Sequence, residues 1–166
     1  MNYHDIVHDD ILNGEGLRVT LFVSGCSHNC FNCQNPQTHS PTSGIKFDEK
    51  ALDEILNELN KEYISGLTLS GGDPIYYDNR AKIYTICKKV KELYPSKTIW
   101  LYTGYLWEDI KDLLLIKYVD VLVDGRFIEA LKDENYPWAG SRNQRVIDVQ
   151  KSLKDKKVIL YEEFKL

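Results

Sequence analysis

The chain has 166 residues, 43% of them hydrophobic and 28% charged, which suits one ordinary globular domain spanning 1–166 and leaves little room for a second. A net charge of -4 without any basic block argues against a nucleic-acid partner, and no apolar run approaches the ~20 residues of a membrane span. The start, Met1-Asn2-Tyr3-His4-Asp5, is acidic where a signal peptide is basic and then apolar, so a cytoplasmic, reducing location is expected. There, clustered cysteines more often bind metal or do redox work than form disulfides.

In chain order, Asn13-Gly14-Glu15-Gly16 is a turn-rich lead-in to a first strand over 17–24, which is rich in β-branched and aromatic residues. Gly25 ends that strand and opens the loop Cys26-Ser27-His28-Asn29-Cys30-Phe31-Asn32-Cys33. Residues 34–45 read as loop, broken by Pro36, Pro41 and Gly44. Asp48 is a candidate N-cap for a helix whose Ala51, Leu52, Ile55, Leu56 and Leu59 share one face. A short strand over 66–70 ends in Gly71-Gly72-Asp73-Pro74. A helix over about 79–94 follows, with Ile83, Ile86, Cys87, Val90 and Leu93 inward, closed by Pro95.

The next strand, Thr98-Ile99-Trp100-Leu101-Tyr102, ends at Thr103-Gly104-Tyr105. A short helix is expected over 107–116, with Ile110, Leu113 and Leu114 inward, then a strand over 119–123 ending at Asp124-Gly125. One helical turn over 127–131 and a loop over 137–143 lead to two late strands, 145–149 and 157–161, separated by charged residues 151–156. The alternation of strand and helix predicts an α/β fold with a parallel sheet and right-handed crossovers. A full eight-stranded barrel needs about 200 residues, so an open, partial TIM-like barrel fits better. Parallel strands bring the cysteine loop, Gly71-Gly72-Asp73, Thr103-Gly104 and Asp124-Gly125 to one sheet edge.

The spacing C-x3-C-x2-C places three thiols in eight residues. They fall one short of the four ligands of a structural zinc or of a fully protein-ligated cluster. Two readings stay open on spacing alone: a zinc site completed by His28 or His39, or a four-iron cluster with one iron free for a ligand. Gly71-Gly72-Asp73-Pro74 suits a plain turn, but it also lets a ligand approach the backbone and gives Asp73 an ammonium to receive. Asp124 reads equally as a turn residue or a binding residue. Cys87 reads as an inert core thiol, and His4, His8 and His39 as surface residues. Trp100, Trp107 and Trp138 read as packing, while Asn143-Gln144-Arg145 is either ordinary loop or a contact to a ligand or partner.

Together these segments resemble the radical S-adenosylmethionine (SAM) enzymes, and more closely the activating enzymes of anaerobic (class III) ribonucleoside-triphosphate reductases. The resemblance is carried by Asn13-Gly14-Glu15-Gly16, the run from Leu21 into Cys26, Ser70-Gly71-Gly72-Asp73-Pro74, Trp100-Leu101-Tyr102-Thr103-Gly104-Tyr105, Val121-Leu122-Val123-Asp124-Gly125-Arg126-Phe127 and Gly140-Ser141-Arg142-Asn143-Gln144-Arg145. No motif covers the chain after about Gln150. Asn32 stands where many relatives carry an aromatic residue, and Asp73 where many carry Glu.

The resemblance implies that Cys26, Cys30 and Cys33 ligate a [4Fe-4S] cluster, with SAM chelating the open iron. Asn32 and Gln34 would lie against SAM, and Gly71, Gly72 and Asp73 would hold its methionine end. It implies reductive cleavage of SAM to methionine and a 5′-deoxyadenosyl radical, which takes hydrogen from a glycine of the large reductase subunit. Clusters reach potentials near −700 mV, low enough to suit a sulfonium. A low-potential donor such as flavodoxin is implied. The rivals are an activase for another glycyl-radical enzyme and a zinc-binding interaction module. Residues 151–166 are a candidate docking segment because nothing else explains them.

Overall fold

Short apolar runs, each ending in glycine or a polar residue, build one sheet in the computed structural model of the chain, which describes residues 1–162. The strands are β1 (Asn2–Asp10), β2 (Arg18–Val23), β3 (Ile45–Lys46), β4 (Gly66–Gly71), β5 (Thr98–Tyr102), β6 (Val121–Asp124) and β7 (Arg145–Asp148). The helices are α1 (Glu49–Leu59), α2 (Arg80–Leu93), α3 (Trp107–Ile110) and α4 (Val149–Asp155). Across the sheet the order is β3-β1-β2-β4-β5-β6-β7, open at β3 and β7. β2, β4, β5 and β6 run parallel, as their helical connections require. On one side β1 pairs antiparallel with β2 and β3 antiparallel with β1, and on the other β7 pairs antiparallel with β6, so the expected parallel pairing holds only among the central four.

Side chains alternate along each strand and divide the core in two. Val19, Leu21, Leu67, Leu69, Ile99, Leu101 and Leu122 face Ile55 and Leu59 of α1 and Ile83, Ile86 and Val90 of α2 in one large apolar cluster. Asp48 caps α1 by accepting a hydrogen bond from the Ala51 amide at 2.9 Å. On the other face Trp100, Val121, Val123 and Val146 pack with Tyr102, Trp138 and Tyr161.

That second face also buries a charge. Arg18 is only 1% exposed, and its guanidinium donates to Thr68 Oγ1, Thr98 Oγ1 and the carbonyls of Glu15, Leu67 and Thr98 at 2.8–3.0 Å. It also lies 5.6 Å from the Trp100 ring centroid. Burial lowers its pKa to about 10, which leaves it charged at neutral pH.

Several elements differ from the sequence expectation. The N-terminal segment forms β1, whose alternation of Asn, His and Asp with few apolar residues hides a strand with little burial. Ile45, expected as the end of a loop, pairs with it together with Lys46 as β3. The helix expected over 107–116 stops at Ile110 and gives way to a 3-10 turn over Leu114–Tyr118, which leaves Leu114 71% exposed and buries Leu115 and Ile116 instead. Leu93, at the end of α2, is half exposed rather than inward. Residues 149–155 form α4, capped by Asp148, and the second late strand shrinks to a single bridge between Ile147 and Leu160. Of the unexplained stretch 151–166, residues 163–166 lie outside the described residues.

Arg18→Lys keeps the charge but cannot reach five acceptors at once. It is expected to lower unfolding stability by roughly 3 kcal/mol in urea titrations, because buried carbonyls lose their donors.

Candidate functional site

Parallel pairing places the C-terminal ends of β2, β4, β5 and β6 along one edge, and a cavity of about 560 Å³ opens there. Its lining includes Cys26, Cys30, Cys33 and Gln34 from the first strand end, Gly71, Gly72 and Asp73 from the second, Thr103 and Gly104 from the third, and Gly125 and Arg126 from the fourth. The four polar strand ends therefore converge, as the sequence predicts. Asn32 is exposed, with φ at 55°, and is not part of the lining. Tyr102 also lines the cavity. Its hydroxyl is buried without a hydrogen-bond partner, and burial raises its pKa despite the opposing Arg18 charge.

Asp73 is the hub of this edge. It is 1% exposed, and its carboxylate accepts from His28 Nε2 at 2.7 Å, Thr103 Oγ1 at 2.9 and 3.0 Å, and the amides of Gly104 at 3.0 Å and Ile75 at 2.8 Å. Those donors come from the cysteine loop, the end of β5 and the turn after Asp73 itself. The Asp73 carbonyl receives Asn79 Nδ2, which also reaches the Ser24 carbonyl. Gly71 has φ +111°, and a Cβ there would lie 2.3 Å from the Val23 amide nitrogen, so close strand approach demands glycine. The amides of Gly72 and Asp73 are taken by the carbonyls of Val23 and Gly25, so they are not the free donors that a double glycine suggests. Among the described residues the Gly72 carbonyl has no hydrogen-bond donor, and Gly72 lines the cavity.

The opposite wall rests on a second network. Asp124 is fully buried and accepts from the Trp107 amide at 2.8 Å and from Arg145, whose Nη2 lies 2.5 Å from Oδ2. Arg145 also pairs with the exposed Glu108 at 2.9 Å. These two acids raise the Arg145 pKa, and its hydrogen bonds hold the Glu108 carboxyl below its ordinary value. Gln144 accepts from the amides of Gly140 and Ser141 and donates to the Gly125 carbonyl, while Asn143 donates to the Arg126 carbonyl. Asp124 and Asn143-Gln144-Arg145 thus shape the loop over 125–144, and only Gln144 of the four reaches the cavity.

The three loop cysteines are free and half-buried. Burial pushes the Cys26 thiol up to about 11, opposed by a hydrogen bond from the His28 backbone N–H to its sulfur. The Asn35 amide approaches the Cys33 sulfur at 3.4 Å. Among the described residues the one set of metal-type ligand atoms within 4.8 Å of one another is Cys26, His28 and Asp73, and the three sulfurs are not gathered that tightly. Zn–S bonds of about 2.3 Å would require closer packing of three thiolates, whereas a four-iron cube carries them on separate irons, farther apart. Three thiols on one half-buried loop, amide donors at two sulfurs and an orphaned hydroxyl in the same cavity fit a cluster with a further polar ligand.

His39, the other zinc candidate, has a buried Nε2 without a hydrogen-bond partner among the described residues, and it does not line the cavity. His4 and His8 instead meet Ser43 and Glu54. Cys87 is wholly buried within the apolar cluster, where burial pushes its thiol up to about 12. The sequence flagged His28 only as a possible ligand. Its link to Asp73, 45 positions away, has no local signal.

The fold and the cysteine loop define an iron–sulfur class of protein: residues 12–147 match the family described as a 4Fe-4S single cluster domain. The chain is 47% identical over 146 residues to the anaerobic ribonucleoside-triphosphate reductase-activating protein of Enterobacteria phage T4, covering 88% of this chain and 93% of that one. It is 43% identical over 148 residues to the protein of that name from Vibrio cholerae, covering 87% and 96%. The corresponding Escherichia coli K12 protein is 41% identical over 150 residues, covering 88% and 97%. The chain therefore belongs to the 4Fe-4S single cluster domain family, in its branch of anaerobic ribonucleoside-triphosphate reductase-activating proteins. No helix among the described residues is long and apolar enough to cross a membrane.

Replacing Arg145 with Met would strand the buried Asp124 charge. Arg145→Met is expected to cost about 2–3 kcal/mol, below the range for a fully buried pair because Arg145 is one-third exposed. Glu108→Gln, on the exposed side, should stay within about 0.5 kcal/mol. Chemical denaturation of both variants measures the difference.

Proposed function

We propose that this chain is a radical SAM activase that installs a glycyl radical on the large subunit of an anaerobic ribonucleoside-triphosphate reductase. One observation carries the reading: Cys26, Cys30 and Cys33 open onto the same cavity as Gly71-Gly72-Asp73 and Thr103-Gly104. The three thiols would hold a [4Fe-4S] cluster, and the strand ends opposite them would bind SAM. When bound, this pair supplies one-electron cleavage of a sulfonium and hydrogen abstraction from a glycine of the partner.

The chain's own residues have four tasks. The loop thiols fix the cluster at the sheet edge. The Gly72 carbonyl would accept the SAM ammonium, and the neighbouring buried Asp73 carboxylate would favour a cation there. Gln34, which lines the cavity, completes the wall beside the third cysteine, and Asn32, exposed on the same loop, would lie against SAM. Gly125, Arg126 and Phe127 form the far rim, where a glycine-bearing segment of the partner enters and excludes water. In this reading the four parallel strands are the remnant of a TIM-like barrel within one domain over 1–166. The protein works in the cytoplasm, with a low-potential donor such as flavodoxin.

The tight set of Cys26, His28 and Asp73 supports a second reading, a single zinc in a non-catalytic interaction module. Anaerobic reconstitution separates the two. The activase is expected to bind about four irons per chain through three cysteines, and to form 5′-deoxyadenosine from SAM once reduced. A colourless protein with one tight zinc, inert to SAM under reduction, would sink the proposal. Cys30→Ala should lose cluster and SAM cleavage together. Cys87→Ser, in the apolar core, should keep both.

A further inference from the structure

The cysteine loop has few internal supports. Its backbone visits the left-handed region at two residues that are not glycine, Asn29 with φ 50° and Asn32 with φ 55°. Cys26 is tied by its amide to the His39 carbonyl, and Cys33 by its amide to the Cys30 carbonyl. Apart from that Cys33–Cys30 bond, among the described residues no backbone–backbone hydrogen bond joins residues 27–32 to the rest of the chain. Ser27, Asn29, Phe31 and Asn32 are all exposed. A loop of this kind exchanges among conformations unless a side chain pins it.

One side chain does. The His28 side chain is 4% exposed, and its Nε2 lies 2.7 Å from Asp73 Oδ2. Because the carboxylate already accepts from Thr103, Gly104 and Ile75, Nε2 is the donor in this bond. The ring stacks edge-on to Tyr105 with centroids 4.7 Å apart. It also rests on Gly104, where a Cβ would lie 2.5 Å from His28 Cδ2.

We infer that His28 is a positioning residue: its ring, held by Asp73 and seated on Gly104 and Tyr105, locks the cysteine loop to the strand ends. The lock is made of the chain's own groups and holds the loop that carries the three thiols. A loop held this way keeps its thiols in one arrangement, so the surroundings of a cluster bound there, and with them its potential, depend on His28. Only this redox consequence rests on the cluster reading above.

The test has two arms. In the metal-free protein, hydrogen exchange by mass spectrometry reads the loop directly. His28→Ala is expected to speed exchange across residues 27–33 by about tenfold or more. His28→Gln, whose amide can donate to Asp73 from a similar reach, should stay near wild type. Gly104→Ala, which displaces the ring without deleting a polar partner, should behave like His28→Ala.

In the reconstituted protein, electrochemical titration is expected to show a midpoint shifted from wild type for His28→Ala and a wild-type midpoint for His28→Gln. Wild-type exchange in both His28→Ala and Gly104→Ala would overturn the inference. So would an unchanged midpoint in a loaded His28→Ala protein. If the wild-type chain takes up no cluster, the cluster reading fails on its own, and the exchange arm still decides the role of His28.

Discussion

A buried carboxylate organises this molecule's working edge. Asp73 follows β4 directly, and a charge at that depth is tolerated only if its oxygens are filled. The chain fills them from three directions, with His28 from the cysteine loop, Thr103 and Gly104 from the end of β5, and Ile75 from its own turn. Each donor is a short polar or backbone group on an otherwise mobile strand end. Satisfying one acid therefore fixes the relative positions of three loops that the sheet alone would leave loose.

The opposite end of the same sheet solves a mirror-image problem. Arg18 opens β2 and is as deeply buried as Asp73, yet its donors go to hydroxyls and carbonyls rather than to an acid. Five neutral acceptors spread over the Glu15 turn, β4 and β5 stitch the N-terminal ends of the parallel strands together. The two charges lie at opposite ends of one β2–β4–β5 unit, each closing an end of the sheet where strand pairing stops.

What the sequence made legible follows from locality. The four parallel strands, the Asp48 cap of α1 and the face of α2 are set by period and by neighbours within a few residues. The convergence of the strand ends follows from parallel pairing alone. β1 and α4 escaped because they bury little: β1 is mostly polar, and in α4 only Val149 and Ser152 are buried, which leaves no helical stripe to read. The character of Asp73 escaped for a different reason. Read locally, an acid after two glycines is an open acceptor for a ligand. Its closure by His28 spans 45 positions, and the closure by Thr103 spans 30, so neither has a sequence period to betray it.

The cavity thus has two walls with separate supports. The Asp73 group holds the cysteine loop and the strand ends. The Asp124–Arg145–Glu108 group, with Gln144 and Asn143, holds the loop over 125–144. The two groups share no side chain, although the Thr103 amide meets the Val123 carbonyl and the Gly125 amide the Tyr105 carbonyl where β5 and β6 end side by side. Side-chain changes confined to one wall should therefore largely add to those in the other. That independence suits a site open to a macromolecule. One wall must keep a fixed geometry around its thiols, while the other presents the rim at Arg126 and Phe127 that a partner would meet. A rim that could shift without disturbing Asp73 would let the partner seat itself while the thiol loop stays in place.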